Sequence, residues 1–101
     1  MPTFYSIDDI KRAAENRGSK WFSRGAMRFF GSRVHDTVYQ GPGGVFFVSS
    51  EQPPYGPRGY AVRRFDPDTG DISTVGKVCQ YSSRSGAHGA ARRMAATAPT
   101  P

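Results

Sequence analysis

Tyr60-Ala61-Val62-Arg63-Arg64-Phe65-Asp66-Pro67-Asp68-Thr69-Gly70-Asp71-Ile72 alternates, turns and resumes. In an extended chain Tyr60 and Val62 fall on one face, and Ala61, Arg63 and Phe65 on the other. Asp66 to Asp71 is a tight connection in which Pro67 fixes one turn position and Gly70 supplies positive φ. Ile72 to Tyr81 reads as the returning strand, with an interruption at Gly76. A hairpin of this quality makes an antiparallel sheet the centre of the fold.

Working back from it, Val45-Phe46-Phe47-Val48 is the longest apolar run and predicts a strand over Val45–Ser50 buried on both faces. Gly41-Pro42-Gly43-Gly44 is a turn by composition, and Val34 to Gln40 is the strand before it. Between the second and third strands, Glu51 to Gly59 holds three prolines and two glycines. That segment is an exposed loop with Tyr55 and Arg58 at its tip.

Helices flank the strands. Ser6 reads as an N-cap with Asp9 three residues on, Ile7, Ile10 and Ala14 share a face, and Gly18 follows as a stop, so a helix is expected over about 7–16. Lys20 to Ser23 suits a short strand with Trp21 and Phe22 on opposite faces. Ser23 then caps a helical turn through Met27 to Phe30, which turns Arg24 and Arg28 outward together. Ser83 or Ser85 caps a last helix to about Thr97, with Ala87, Ala90, Ala91 and Met94 inward and Arg84, His88 and Arg92 along another face.

The predicted fold class is α+β: an N-terminal helix, a four- or five-stranded, mainly antiparallel sheet, and a C-terminal helix. Residues 1–97 form one small basic domain and 98–101 a frayed tail. The chain contains no leucine, so seven Phe, seven Val, five Tyr and three Ile carry its core, a set that suits a pleated surface. Trp21, Phe22, Met27, Phe30, Val45, Phe47, Val62 and Ile72 are the core candidates.

The formal net charge is +6, and eleven of the fourteen basic residues are arginine. Arginine presents a planar fork to phosphate or carboxylate and stacks on rings. Lys20, Arg24, Arg28 and Arg33 are interleaved with Trp21, Phe22, Phe29 and Phe30, a mixture common where a surface meets an anion with a flat face. A solvated basic edge over ordinary core packing is the plainer alternative. Cys79 is the single cysteine, and there is neither a signal-peptide pattern nor an apolar run long enough to span a bilayer. A reducing, cytoplasmic setting without membrane association is expected.

Catalytic and cofactor patterns find little support. No Gly-x-Ser-x-Gly elbow surrounds a serine, and His35 and His88 read as separate surface residues. One cysteine and two histidines without close spacing do not make a zinc site. Asp66, Asp68 and Asp71 fit turn chemistry better than a calcium loop. Gly41-Pro42-Gly43-Gly44 leads into a strand rather than a helix, so it cradles no pyrophosphate. Gly44-Val45-Phe46-Phe47-Val48 superficially suggests the aromatic strand of RNA-recognition domains, but the basic residue and the strand order of that fold are missing, and core packing explains it better.

Trp21-Phe22-Ser23 with Met27-Arg28-Phe29-Phe30-Gly31-Ser32-Arg33-Val34, Arg63-Arg64-Phe65-Asp66-Pro67 and Ser83-Arg84-Ser85-Gly86-Ala87-His88 together resemble a group of small proteins encoded by bacteriophages and prophages. The resemblance covers about residues 7–95. It implies a host-cytoplasmic setting and an accessory role, including inhibition of a bacterial defence system, and it carries no catalytic residue and no cofactor.

The resulting expectation is a non-enzymatic, cofactor-free binding protein that contacts nucleic acid or a host nucleoprotein. Lys20, Arg24, Arg28, Arg33, Arg58, Arg84, His88, Arg92 and Arg93 supply the charge, and Tyr55 supplies a stacking ring. The alternative is a phage-encoded inhibitor that docks on a host protein with an acidic surface, anchored by the Tyr55–Arg58 loop or the aromatic–arginine segment.

Overall fold

The alternation around Val62 organises the whole molecule. A computed structural model describes residues 3–29 and 31–97. The chain runs α1 (Ile7–Asn16), α2 (Arg24–Phe29), β1 (Arg33–Gly41), β2 (Gly44–Glu51), β3 (Gly59–Phe65), β4 (Ile72–Val75) and α3 (Arg84–Ala96). The four strands form one antiparallel sheet in the order β1-β2-β3-β4, so each strand pairs with its neighbour in sequence. The α+β fold with a helix at either end of the sheet is thus the one the sequence predicts, with four strands.

Both faces of β2 are covered, because its alternate residues serve two separate clusters. Phe46 and Val48, with Val62 of β3, pack against Ala87, Ala90, Ala91 and Ala95 of α3. Alanines on that helix face let its backbone lie close to the sheet. Val45 and Phe47, with Phe65, pack on the other face against Phe4, Ile10 and Ala14. Each large apolar side chain removed from water contributes about 1.5–3 kcal/mol. Trp21 and Phe22 flank the second cluster, their rings meeting Phe47 at 5.6 Å and 6.1 Å between centroids.

The helix caps follow the sequence pattern. Asp9 Oδ2 accepts hydrogen bonds from the backbone N–H groups of Tyr5 and Ser6 at 3.0 and 3.3 Å. Ser83 Oγ accepts one from the Gly86 N–H at 3.1 Å. The β1–β2 turn presses on the end of α3, where the Gly43 N–H donates to the Ala95 carbonyl at 2.9 Å. A Cβ at Gly43 would overlap the Met94 carbonyl, so this approach requires glycine.

Several expectations need correction. Lys20 to Ser23 is a turn, not a strand, closed by a Ser23 N–H to Lys20 carbonyl bond of 3.0 Å. Trp21 and Phe22 accordingly join the same cluster rather than opposite faces. The fourth strand stops at Val75, because Gly76 has φ 81° and turns the chain; only an isolated Tyr60–Tyr81 bridge resumes the pairing. Of the core candidates, Val45, Phe47 and Val62 are fully buried, while Trp21, Phe22, Met27 and Ile72 are partly so. The expected burial of Phe30 and the expected fraying of 98–101 lie outside the described residues.

Candidate functional site

His35 enters on β1 and His88 on the flank of α3 that faces β1, and the packing of α3 on the sheet brings the two half-buried rings together. His35 Nδ1 and His88 Nε2 are 2.8 Å apart, and the rings stack with centroids 5.1 Å apart. His88 Nδ1 in turn lies 2.9 Å from the hydroxyl of Tyr39, four residues after His35 on β1. Tyr39, His88 and His35 therefore form a continuous hydrogen-bonded chain. Such a chain accommodates neutral rings, each donating through one nitrogen and accepting through the other. Two doubly protonated rings would place N–H against N–H.

The surroundings favour the neutral form. Burial pushes the His35 pKa down, and the cations of Arg84 and Arg58 and the neighbouring His88 push the same way, against a smaller opposing effect of Asp36. Burial likewise lowers His88, followed by Arg84 and Arg92, which sit one turn before and after it on α3. The positive charge at this edge is thus held by arginine and not by histidine. Arg92 also lies over the Tyr39 ring, 5.8 Å from its centroid.

On the opposite face of the sheet, Arg63 is fixed on all sides. Its Nε donates to Ser49 Oγ at 2.9 Å, its Nη1 donates to Thr74 Oγ1, and its Nη2 lies 3.2 Å from Glu51 Oε1. The Arg63 and Glu51 side chains are only 8% and 3% exposed. The Glu51 contact is a charge pair without hydrogen-bond alignment, and neither carboxylate oxygen accepts a hydrogen bond. The Trp21 ring covers the guanidinium at 5.3 Å. Beside them opens a pocket of 390 Å³ lined by Trp21, Gly25, Ala26, Met27, Ser32, Arg63 and Val78.

The residues singled out from sequence therefore divide between two faces. Arg84, His88 and Arg92 share one edge with Tyr39 and His35. Lys20, Arg24 and Arg28 are exposed on the segment that walls the pocket on the other side, each next in sequence to a lining residue, Trp21, Gly25 and Met27 respectively. Arg33 and Arg93 are exposed at the start of β1 and the last turn of α3. Tyr55 is 93% exposed at the tip of the proline-rich loop. Arg58 braces that loop: its Nη1 donates to the Ser50 carbonyl and hydroxyl at 2.9 Å each, and its Nη2 to the Gly31 carbonyl at 2.8 Å. Among the described residues, no carboxylate pairs with Arg24, Arg28, Arg33, Arg84, Arg92 or Arg93. Nor do any three His, Cys, Asp or Glu side chains among them converge to hold a metal ion. No helix among them is long and apolar enough to cross a membrane.

A family model matches residues 6–92, from the cap of α1 into α3. The chain belongs to DUF7447, a family of unknown function. The DUF7447 span takes in both faces of the sheet, the His35–His88–Tyr39 chain and the Arg63–Glu51 pair, and stops one residue short of Arg93. No curated protein and no solved structure matches the chain.

Sequence reasoning missed the histidine contact in this DUF7447 chain, reading both rings as separate surface groups, although they lie 53 positions apart and meet only through the fold. It also placed Glu51 in an exposed loop, whereas Glu51 ends β2 and is buried. Its backbone carbonyl is covered by the Cys79 thiol at 3.6 Å. A partial signal for the pair was present: Arg63 sits in a strand among apolar residues on its own face, a position that demands a buried anion.

Proposed function

We propose that this protein is a non-enzymatic module that binds nucleic acid or a nucleoprotein through its arginine- and aromatic-bearing surfaces. The observation that carries this reading is the set of exposed arginines on α2, β1 and α3 without carboxylate partners among the described residues, on a chain of net charge +6. An unpaired guanidinium costs little to desolvate against phosphate and offers it a two-pronged donor. Tyr39, already under Arg92, adds a flat face to the α3 edge.

The test is binding of the purified protein to labelled single-stranded and duplex oligonucleotides while salt is raised. Polyanion binding gives affinity that falls steeply and linearly on logarithmic axes. Charge reversal by Arg28→Glu or Arg92→Glu weakens it for all sequences alike. Absence of binding at low salt removes the reading.

The near-complete exposure of Tyr55 favours a second reading. A rigid loop braced by Arg58 and tipped by a tyrosine is suited to anchoring in a pocket of a partner protein. In the phage setting implied by the resemblance described above, that partner is a host defence protein with an acidic surface. Affinity capture from host extract with wild-type protein and Tyr55→Ala separates the two readings, since docking through the loop requires the ring and phosphate binding does not.

A further inference from the structure

We infer that the pocket beside α2 receives a single unstacked nucleobase, so that the nucleic acid bound is single-stranded. The inference rests on the nucleic-acid reading above and specifies which form is recognised. Four observations meet at this place. The cavity, 390 Å³ in volume, lies within the usual span of ligand pockets, about 300–1,000 Å³. Its wall presents two flat groups, the Trp21 ring and the Arg63 guanidinium stacked 5.3 Å from it.

The guanidinium is also held rigidly. Its Nε–H and one Nη1–H are taken by Ser49 and Thr74, its Nη2 lies against Glu51 as a charge pair, and its side chain is 8% exposed, so it is a fixed plane of N–H donors rather than a mobile arm. Its charge is offset by Glu51, which makes the pocket wall nearly neutral. A neutral planar group with acceptor atoms fits such a wall, whereas a phosphate or carboxylate would meet the Glu51 charge close behind it.

The anionic part of the ligand has its own place. Lys20, Arg24 and Arg28 are exposed and are the chain neighbours of the lining residues Trp21, Gly25 and Met27. Cations on the segment that walls a neutral aromatic slot match a strand that alternates phosphate with base. A duplex keeps its bases stacked and paired, and fits only at the cost of extruding one.

Trp21 is the only tryptophan of the chain, so its fluorescence reports directly on the pocket. The experiment titrates the full-length protein with oligothymidylate and with an abasic phosphodeoxyribose strand of equal length and charge. The expected result is quenching of Trp21 by oligothymidylate and binding about tenfold or more tighter than that of the abasic strand. A Cβ at Gly25 meets nothing within 4 Å, so Gly25→Leu fills the slot. That variant is expected to lose both the quenching and the tenfold difference while keeping the abasic-strand affinity. Equal affinity of the wild-type protein for the two strands overturns the inference and leaves phosphate binding standing. Failure to bind either strand at low salt overturns the nucleic-acid reading itself. The strand comparison needs only the wild-type protein, so it decides the matter even if the variant folds poorly.

Discussion

His35 Nδ1 and His88 Nε2, 53 positions apart in the chain, are joined at 2.8 Å and tie the first strand to the last helix. Burial and the neighbouring arginines hold both rings below the ordinary value of 6.5. Below pH 6.5 the unfolded chain therefore takes up protons that the folded chain refuses. The stability linked to these rings is fully present above that pH and is lost as pH falls from it through the lowered folded values. Urea unfolding followed from pH 7.5 downward is expected to show a declining midpoint. In His35→Gln/His88→Gln the part of that decline that sets in below pH 6.5 disappears.

Arg63 and Glu51 make the opposite kind of pair, charged and buried. Removing one member leaves the other without compensation, so Arg63→Met is expected to cost about 3–5 kcal/mol in urea unfolding. Adding Glu51→Leu removes the stranded carboxylate and recovers a large part of the loss. A double variant no more stable than Arg63→Met would show that the guanidinium acts through Ser49 and Thr74 alone.

The turn at Gly43 has no space for a side chain, and Gly25 has open space. Gly43→Ala forces the β1–β2 turn off the end of α3 and is expected to lower stability by about 1–3 kcal/mol. Gly25→Ala restricts only the unfolded chain and the helix backbone, and is expected to raise stability by about 0.5 kcal/mol. Thermal unfolding of the two variants beside wild type reads both signs.

Arg84 and Arg92 are exposed and each contributes one positive charge at the α3 edge. If both meet phosphates, Arg84→Ala and Arg92→Ala each reduce the slope of log affinity against log salt by about 1. An unchanged slope assigns phosphate contact to the other basic group, at α2.

Much of the fold was legible because its signals are local. The cap at Ser6, the period through Ile7, Ile10 and Ala14, and the Asp66–Asp71 turn are each decided within a dozen residues. The alternation in β3 also put Arg63 on the correct face. The strand assigned to 20–23 failed because Trp21 and Phe22 are β-formers whose packing on Phe47 is satisfied equally well from a turn. The extra length assigned to the fourth strand failed at Gly76, where positive φ ends the ladder. The histidine chain and the Glu51–Arg63 pair were hidden for a different reason. Both join residues on different elements, and neither residue type announces a partner until the sheet register is known.

The register between β1 and β2 slips between Val34 and Val38, around His35. β1 is also an outer strand, with one edge unpaired in the sheet. An outer strand with a broken ladder is a poor template for a strand from another molecule. At the other margin, β4 offers only Ile72–Val75 before the chain turns away. The distortion that accompanies His35 on its way to the helix therefore also guards this sheet against growing by addition of further strands.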